Sequence, residues 1–133
     1  ANPMQEVAAP SDIEAELGVI MKAPEDAEDL RCYVISGKIG QLSYSLPDGT
    51  VCTYRGAAGV SEDISGVYYD IYEEETVDVD GVEVELGFAD ISEDVRAALL
   101  SWEQDGCSYS LFMEGCSDRD VALSEAEGLI GIR

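Results

Sequence analysis

The chain has 133 residues, 46% of them hydrophobic, and carries 29 acidic against 7 basic side chains for a formal net charge of −22, with no histidine. The length fits one domain, and the hydrophobic share supports a core, which excludes a disordered chain despite the charge. The charge argues against nucleic acid or anionic lipid as a partner, the missing histidine removes the serine triad and the commonest transition-metal ligand, and no run of about 18 apolar residues offers a membrane span.

In chain order, residues 1–10 are small, Pro-bearing and without period, and read as an extended arm ahead of a single domain over residues 11–133. The chain opens Ala1-Asn2-Pro3-Met4, and a targeting segment is expected to have been removed ahead of it. Ser11-Asp12-Ile13-Glu14 fits a capping box, so a short helix is predicted from Ser11, with Ile13 and Leu17 on one face and Gly18 ending it. Val19-Ile20-Met21 is a short apolar run ending at Pro24, and Glu25 to Asp29 is an acidic loop.

Arg31 to Ser36 and Ile39 to Leu46 read as strands joined by a turn at Ser36-Gly37-Lys38. Pro47-Asp48-Gly49 predicts a hairpin loop that sets Leu46 opposite Thr50, Tyr44 opposite Cys52 and Leu42 opposite Tyr54, with all the apolar members on one face. Gly56 to Gly66 reads as loop. Val67 to Tyr72 reads as an extended run whose Tyr68 and Tyr69 point to opposite faces. The clearest alternation lies around Asp80-Gly81: Val79 faces Val82 and Val77 faces Val84, while Asp78, Glu83 and Glu85 take the other side, the pattern of an antiparallel pair with one wet face. Ala89 to Val95 is an acidic connection.

The stretch from Ala97 to Met113 predicts a hairpin about Asp105-Gly106, a dipeptide that accepts positive φ at both central positions. Gln104 then faces Cys107, Trp102 faces Tyr109, Leu100 faces Leu111 and Ala98 faces Met113, and this apolar face needs a covering layer. A closing helix is predicted from Ser117 or Asp118, with Val121, Leu123, Ala126, Leu129 and Ile130 as its apolar positions, Gly128 weakening it and Gly131 ending it. The order predicts an α+β fold, a curved antiparallel meander of about seven strands whose apolar face is covered by the short N-terminal and C-terminal helices.

No nucleophile-elbow, Walker or dinucleotide-binding pattern is present. An enzyme would have to work with carboxylates, Cys or Tyr, and with acids everywhere no spacing singles out a catalytic pair. Asp78-Val79-Asp80-Gly81 has the look of a Ca²⁺ loop but fails as an EF-hand, because Thr76 and Gly87 would occupy its first and last ligand positions; a hairpin turn explains it. The clusters Glu25 to Asp29, Glu62-Asp63 and Glu73 to Glu75 are loose cation sites at most, or solvated loops. Tyr44, Tyr54, Tyr72 and Tyr109, with Tyr68 and Tyr69, are either core residues with a wet edge or the lining of a cleft. The loop Glu62 to Gly66 and its neighbours give the candidate ligand-binding set, Glu62, Asp63, Ser65, Tyr68 and Tyr69. The competing reading is structural, with Asp63 and Ser65 bonded to nearby backbone and Ile64 plugging the edge of the core.

Four cysteines lack metal-ligand spacing. Cys32 and Cys52, on the first and third strands of a meander, are too far apart to bridge, as are Cys107 and Cys116, which bracket the last strand. Disulfides would join Cys52 to Cys107 and Cys32 to Cys116, or the crossed pairs; four free thiols is the equal alternative.

Asn2-Pro3-Met4 before an acidic helix, the Pro24 loop, Tyr54-Arg55-Gly56-Ala57-Ala58, Glu62-Asp63-Ile64-Ser65-Gly66, Thr76 to Gly81, and Ser101-Trp102 with Asp105-Gly106-Cys107-Ser108-Tyr109-Ser110 together resemble a family of secreted bacterial proteins. Many of its members are lipoproteins of Gram-positive gut anaerobes, and it is a domain family of unknown function. More distantly the chain resembles extracytoplasmic domains of anti-sigma-factor-like proteins. The resemblance implies export, an anchor only through an N-terminal lipid ahead of this chain, and no catalytic residues or cofactor to carry over. It also implies that Cys52 and Cys107, which stand where the family has aromatic residues, are close in space. The resulting expectation is an extracytoplasmic, non-enzymatic binding or sensing module for an unassigned ligand or protein partner. A Ca²⁺-dependent structural or interaction module is the alternative, and a carboxylate-based hydrolase the third.

Overall fold

The computed structural model describes residues 3–59 and 63–131. It is an antiparallel sheet of eight strands with two short helices. The strands are β1 (Met4–Val7), β2 (Glu28–Ile35), β3 (Ile39–Ser45), β4 (Val51–Ala58), β5 (Tyr72–Val79), β6 (Val82–Asp90), β7 (Arg96–Gln104) and β8 (Cys107–Glu114); the helices are α1 (Pro10–Leu17) and α2 (Arg119–Ile130). The spatial order is β1-β2-β3-β4-β8-β7-β6-β5. Two four-strand meanders are thus joined with the second reversed, so that the last strand pairs with β4 and the chain from β4 to β5 must pass across the sheet. No helix among the described residues is long and apolar enough to cross a membrane.

The expected registers hold where turn chemistry and alternation agree. Trp102 faces Tyr109, Leu100 faces Leu111 and Ala98 faces Met113, and Asp105 and Gly106 take φ of 53° and 76° in the turn between them. Tyr44 faces Cys52 and Leu42 faces Tyr54; Val77 faces Val84 and Val79 faces Val82.

The eighth strand is β1, which lies in the segment expected to be an extended arm ahead of the domain: Met4 to Val7 pair with Ile35 to Cys32. A four-residue edge strand carries too little alternation to announce itself. The N-terminal helix is capped two residues earlier than expected. Ala9 is the N-cap and donates its N–H to Asp12 Oδ2 at 3.0 Å, with Pro10 in the first turn, where its missing N–H costs nothing. β2 begins at Glu28, inside the expected acidic loop, and β4 runs on through Gly56-Ala57-Ala58, paired with Tyr109-Ser108-Cys107. Residues 67–71 form no strand, and β5 starts only at Tyr72. In α2, Ala122, Ala126, Leu129 and Ile130 are buried whereas Val121 is 44% exposed, so the inward stripe sits one residue on from the expected start. Asp118 caps that helix through its carboxylate, which accepts from the N–H of Asp120 and Val121.

One face of the sheet forms the core with both helices. At its centre Tyr54, Trp102 and Tyr109 stack in a triangle with ring centroids 5.8 to 6.1 Å apart. Tyr109 donates its hydroxyl to the Ile20 carbonyl at 3.2 Å, tying the chain after α1 to the centre of the sheet. α1 rests on Gly40, where an added Cβ would come 2.5 Å from Ile13 Cγ2, so the bare backbone is what lets the helix sit so close. The four cysteines are free thiols. Cys52 stands opposite Met113, six residues along β8 from Cys107, a separation of about 20 Å. Of the two readings of the cysteines the free-thiol one holds, and the closeness of Cys52 and Cys107 that the family resemblance implies is not found. Burial pushes the thiols of Cys32 and Cys116 up and that of Cys52 up to about 12, which leaves them poor nucleophiles.

Candidate functional site

The face opposite the helices is where chemistry can happen. Each strand alternates, so the residues between the core positions form a second surface, and the pairings align them in rungs. One rung runs Gln41, Arg55, Ser110, Ser101, Glu85, Thr76 across six strands. It is polar from end to end, with a cation near one side and a carboxylate near the other.

The chain from β4 to β5 crosses this face. Arg55 fastens its near end, donating from Nη1 to the Ile64 carbonyl at 3.2 Å and from Nε to Gln41 Oε1 at 2.8 Å. Burial lowers the pKa of Arg55, an effect that Tyr68 and Asp63 oppose. Gly66 packs on the same guanidinium, where a Cβ would meet Nη1 at 2.6 Å. Midway, Tyr69 stacks on Phe112. At the far end Ile71 lies over Gly87, where a Cβ would come 2.3 Å from Ile71 Cγ2.

Between this crossing segment and strands β5 to β8 is a cleft of about 910 Å³. Its floor carries Ser101, Ser108, Ser110 and Leu99; its rim carries Asp63, Glu74, Glu75, Glu83, Glu85 and Glu103. A bulge between Tyr72 and Glu75, with Glu73 at a φ of 54°, turns Glu74 toward Gly87 and the cleft. No Lys or Arg among the described residues lines the cleft. The four ion pairs among the described residues use Glu6, Glu73, Glu75 and Asp120, so of these six acids only Glu75 is neutralised, by Arg119.

Of the expected site residues, Glu62 lies outside the described residues. Asp63 lines the cleft, but its carboxylate also accepts the N–H of Ser65 at 2.9 Å, and Ser65 Oγ accepts the N–H of Val67 at 3.1 Å. These bonds shape the loop, as the structural reading anticipates. Ser65 is buried, Tyr68 is 96% exposed, and Tyr69 serves as a clip on Phe112. Of the described members of that set, the structure brings only Asp63 into the cleft. Tyr44, Tyr54 and Tyr109 belong to the helix-covered core. Sequence reasoning missed Ser101, Ser108, Ser110, Glu103 and Glu74. Their signal was the other half of the alternation, Ser101-x-Glu103 facing Ser108-x-Ser110, which shows as a site only once a crossing chain makes that face concave.

No family model, curated protein or solved structure matches the chain. Function has to be argued from the cleft itself.

Proposed function

We propose that this chain is an extracytoplasmic, non-enzymatic binding module that takes its ligand in the cleft between the crossing segment and strands β5 to β8. The observation that carries this reading is the hydroxyl-floored, carboxylate-rimmed cavity on the sheet face left bare by the helices. Its volume falls within the few hundred to about 1,000 Å³ usual for small-molecule sites. The placement outside the cell rests on the sequence resemblance and on an acidic surface suited to solubility there.

The two rival readings draw less support. Among the described residues no group of three or more Cys, Asp or Glu is arranged to hold a metal ion. A hydrolase needs one of its two acids desolvated. The rim acids are solvent-exposed, apart from the partly exposed Glu75, which pairs with Arg119, while the half-buried carboxyl whose pKa burial raises, Glu125, sits on α2 at the other face.

Thermal melting with small probes tests the site. Spermidine, N-acetylglucosamine and citrate are added in turn to the wild-type chain and to Ser110→Phe, which fills the floor. A probe that raises Tm in the first and not in the second supports the reading. Equal shifts in both, or no shift with any probe, oppose it.

A further inference from the structure

Arg55 and Arg96 are the two partly buried cations among the described residues. Arg96 pairs with Glu73, whereas Arg55 takes part in none of the four ion pairs, in a chain with 29 acidic side chains. Taking a charge out of water is costly unless an opposite charge meets it. Arg55 meets only neutral acceptors, Gln41 Oε1 from Nε and the Ile64 carbonyl from Nη1. Its Nη2 has no hydrogen-bond partner among the described residues. Asp63 is near enough to act on its charge, but the Asp63 carboxylate accepts the Ser65 N–H at 2.9 Å.

The guanidinium lines a hollow of about 230 Å³ that is separate from the cleft, with Ile39, Ile64 and Val67 as its apolar walls. Asp63 and Ile64 line both spaces and so form the partition between them. Gly66 leaves the guanidinium bare on this side, since a Cβ there would meet Nη1 at 2.6 Å and Nη2 at 3.4 Å. Tyr68 also lines the hollow and, at 96% exposed, offers its ring to whatever enters.

We propose that this hollow is a second binding site, which takes a small monocarboxylic acid with an apolar body. The carboxylate accepts from Arg55 Nη2 and supplies the missing negative charge; the body lies on Ile39, Ile64 and Val67. The volume is below the several hundred Å³ of drug-sized sites, which limits the ligand to a few carbons or one ring. A multiply charged anion fits less well, because the apolar walls would strip its water and Asp63 would repel it. A peptide C-terminus also fits less well. β3 and β4 are interior strands whose backbone groups are already paired, so a peptide's own amides would lose water without gaining partners.

Amide NMR of the full chain titrated with benzoate tests this, at moderate salt to screen the overall negative field. Saturable shifts are expected at Ile39, Arg55, Ile64 and Val67. Benzamide, which has the same shape without the charge, should bind at least tenfold more weakly. Ile39→Phe, which fills the hollow and leaves the guanidinium in place, should weaken benzoate at least fivefold. Ser110→Phe fills the cleft instead and should leave it within twofold, so failure here leaves the cleft reading standing. Absence of saturable shifts would overturn the proposal, as would equal binding of benzamide or equal loss in the two filled variants. Acetate binding as tightly as benzoate would show that the apolar walls contribute nothing, and N-acetylvaline binding more tightly would assign the hollow to a peptide C-terminus; either result overturns it.

Discussion

The ring of Tyr69 lies flat on Phe112, with centroids 6.2 Å apart and planes 10° from parallel. Phe112 is the large apolar residue of β8 that faces away from the helices, and it is nonetheless buried. Tyr69 is what the crossing segment brings to it, and the pair holds the cleft's roof to its floor. An aromatic pair of this kind is worth about 0.5 to 1.5 kcal/mol beyond its burial. Tyr69→Ala should therefore lower stability by about 1 to 2 kcal/mol without changing the circular dichroism spectrum. It should also speed amide exchange in residues 63–71 more than in β3. Uniform loss of protection would mean that Tyr69 supports the whole fold and not the segment alone.

Ile71 over Gly87 gives a coupled pair. Gly87→Ala forces a Cβ into the Ile71 side chain and should cost about 1 to 3 kcal/mol as an overpacking change. Ile71→Ala makes room, so the double variant should be more stable than the sum of the single losses predicts, by about 1 kcal/mol. Denaturant unfolding of the four proteins measures this directly, and strict additivity would show that the two do not press on each other.

Glu125 gives stability a pH dependence. Burial, reinforced by Asp26 and Asp48, raises its carboxyl above the ordinary 4.5. The folded state then holds this proton more tightly than the unfolded state, so stability falls as pH rises from the unfolded value through the folded one. Glu125→Gln should raise Tm near neutral pH and leave it unchanged near about pH 3.5, where both states are protonated. An equal gain at both would point to packing rather than ionisation.

The net charge of −22 is met by few bases, and the four ion pairs among the described residues all reach solvent. Exposed pairs contribute little, so self-repulsion remains as a stability cost that salt can screen. Raising NaCl from low to moderate concentration at neutral pH should raise Tm in a melting scan. No shift would show that the acids are spaced widely enough not to matter.

Local chemistry made much of this fold legible. The Pro47-Asp48-Gly49, Asp80-Gly81 and Asp105-Gly106 turns, with the alternation beside them, set three hairpin registers without coordinates. Long-range order did not show. Nothing local tells β8 to pair with β4, because that pairing depends on which apolar faces end up under the same helices. The start of α1 was missed because Ser11-x-x-Glu14 looks like a cap while Ala9 has no side-chain oxygen; the N–H of Ala9 is satisfied by Asp12 instead. The site was hardest to see. The loop 62–66 stood out for its composition, but Asp63 and Ser65 spend their hydrogen bonds on the loop itself, while the cleft is floored by serines on strands that were read only for their core positions.

The claim that the helix-free face is the working face is tested most directly by amide NMR of the whole chain titrated with whichever of spermidine, N-acetylglucosamine and citrate raises its Tm. The account predicts saturable shifts concentrated at Ser101, Ser108, Ser110, Glu85 and the crossing segment 63–71, with α1 and β2 unmoved. Shifts spread evenly over the exposed acids of both faces would contradict it.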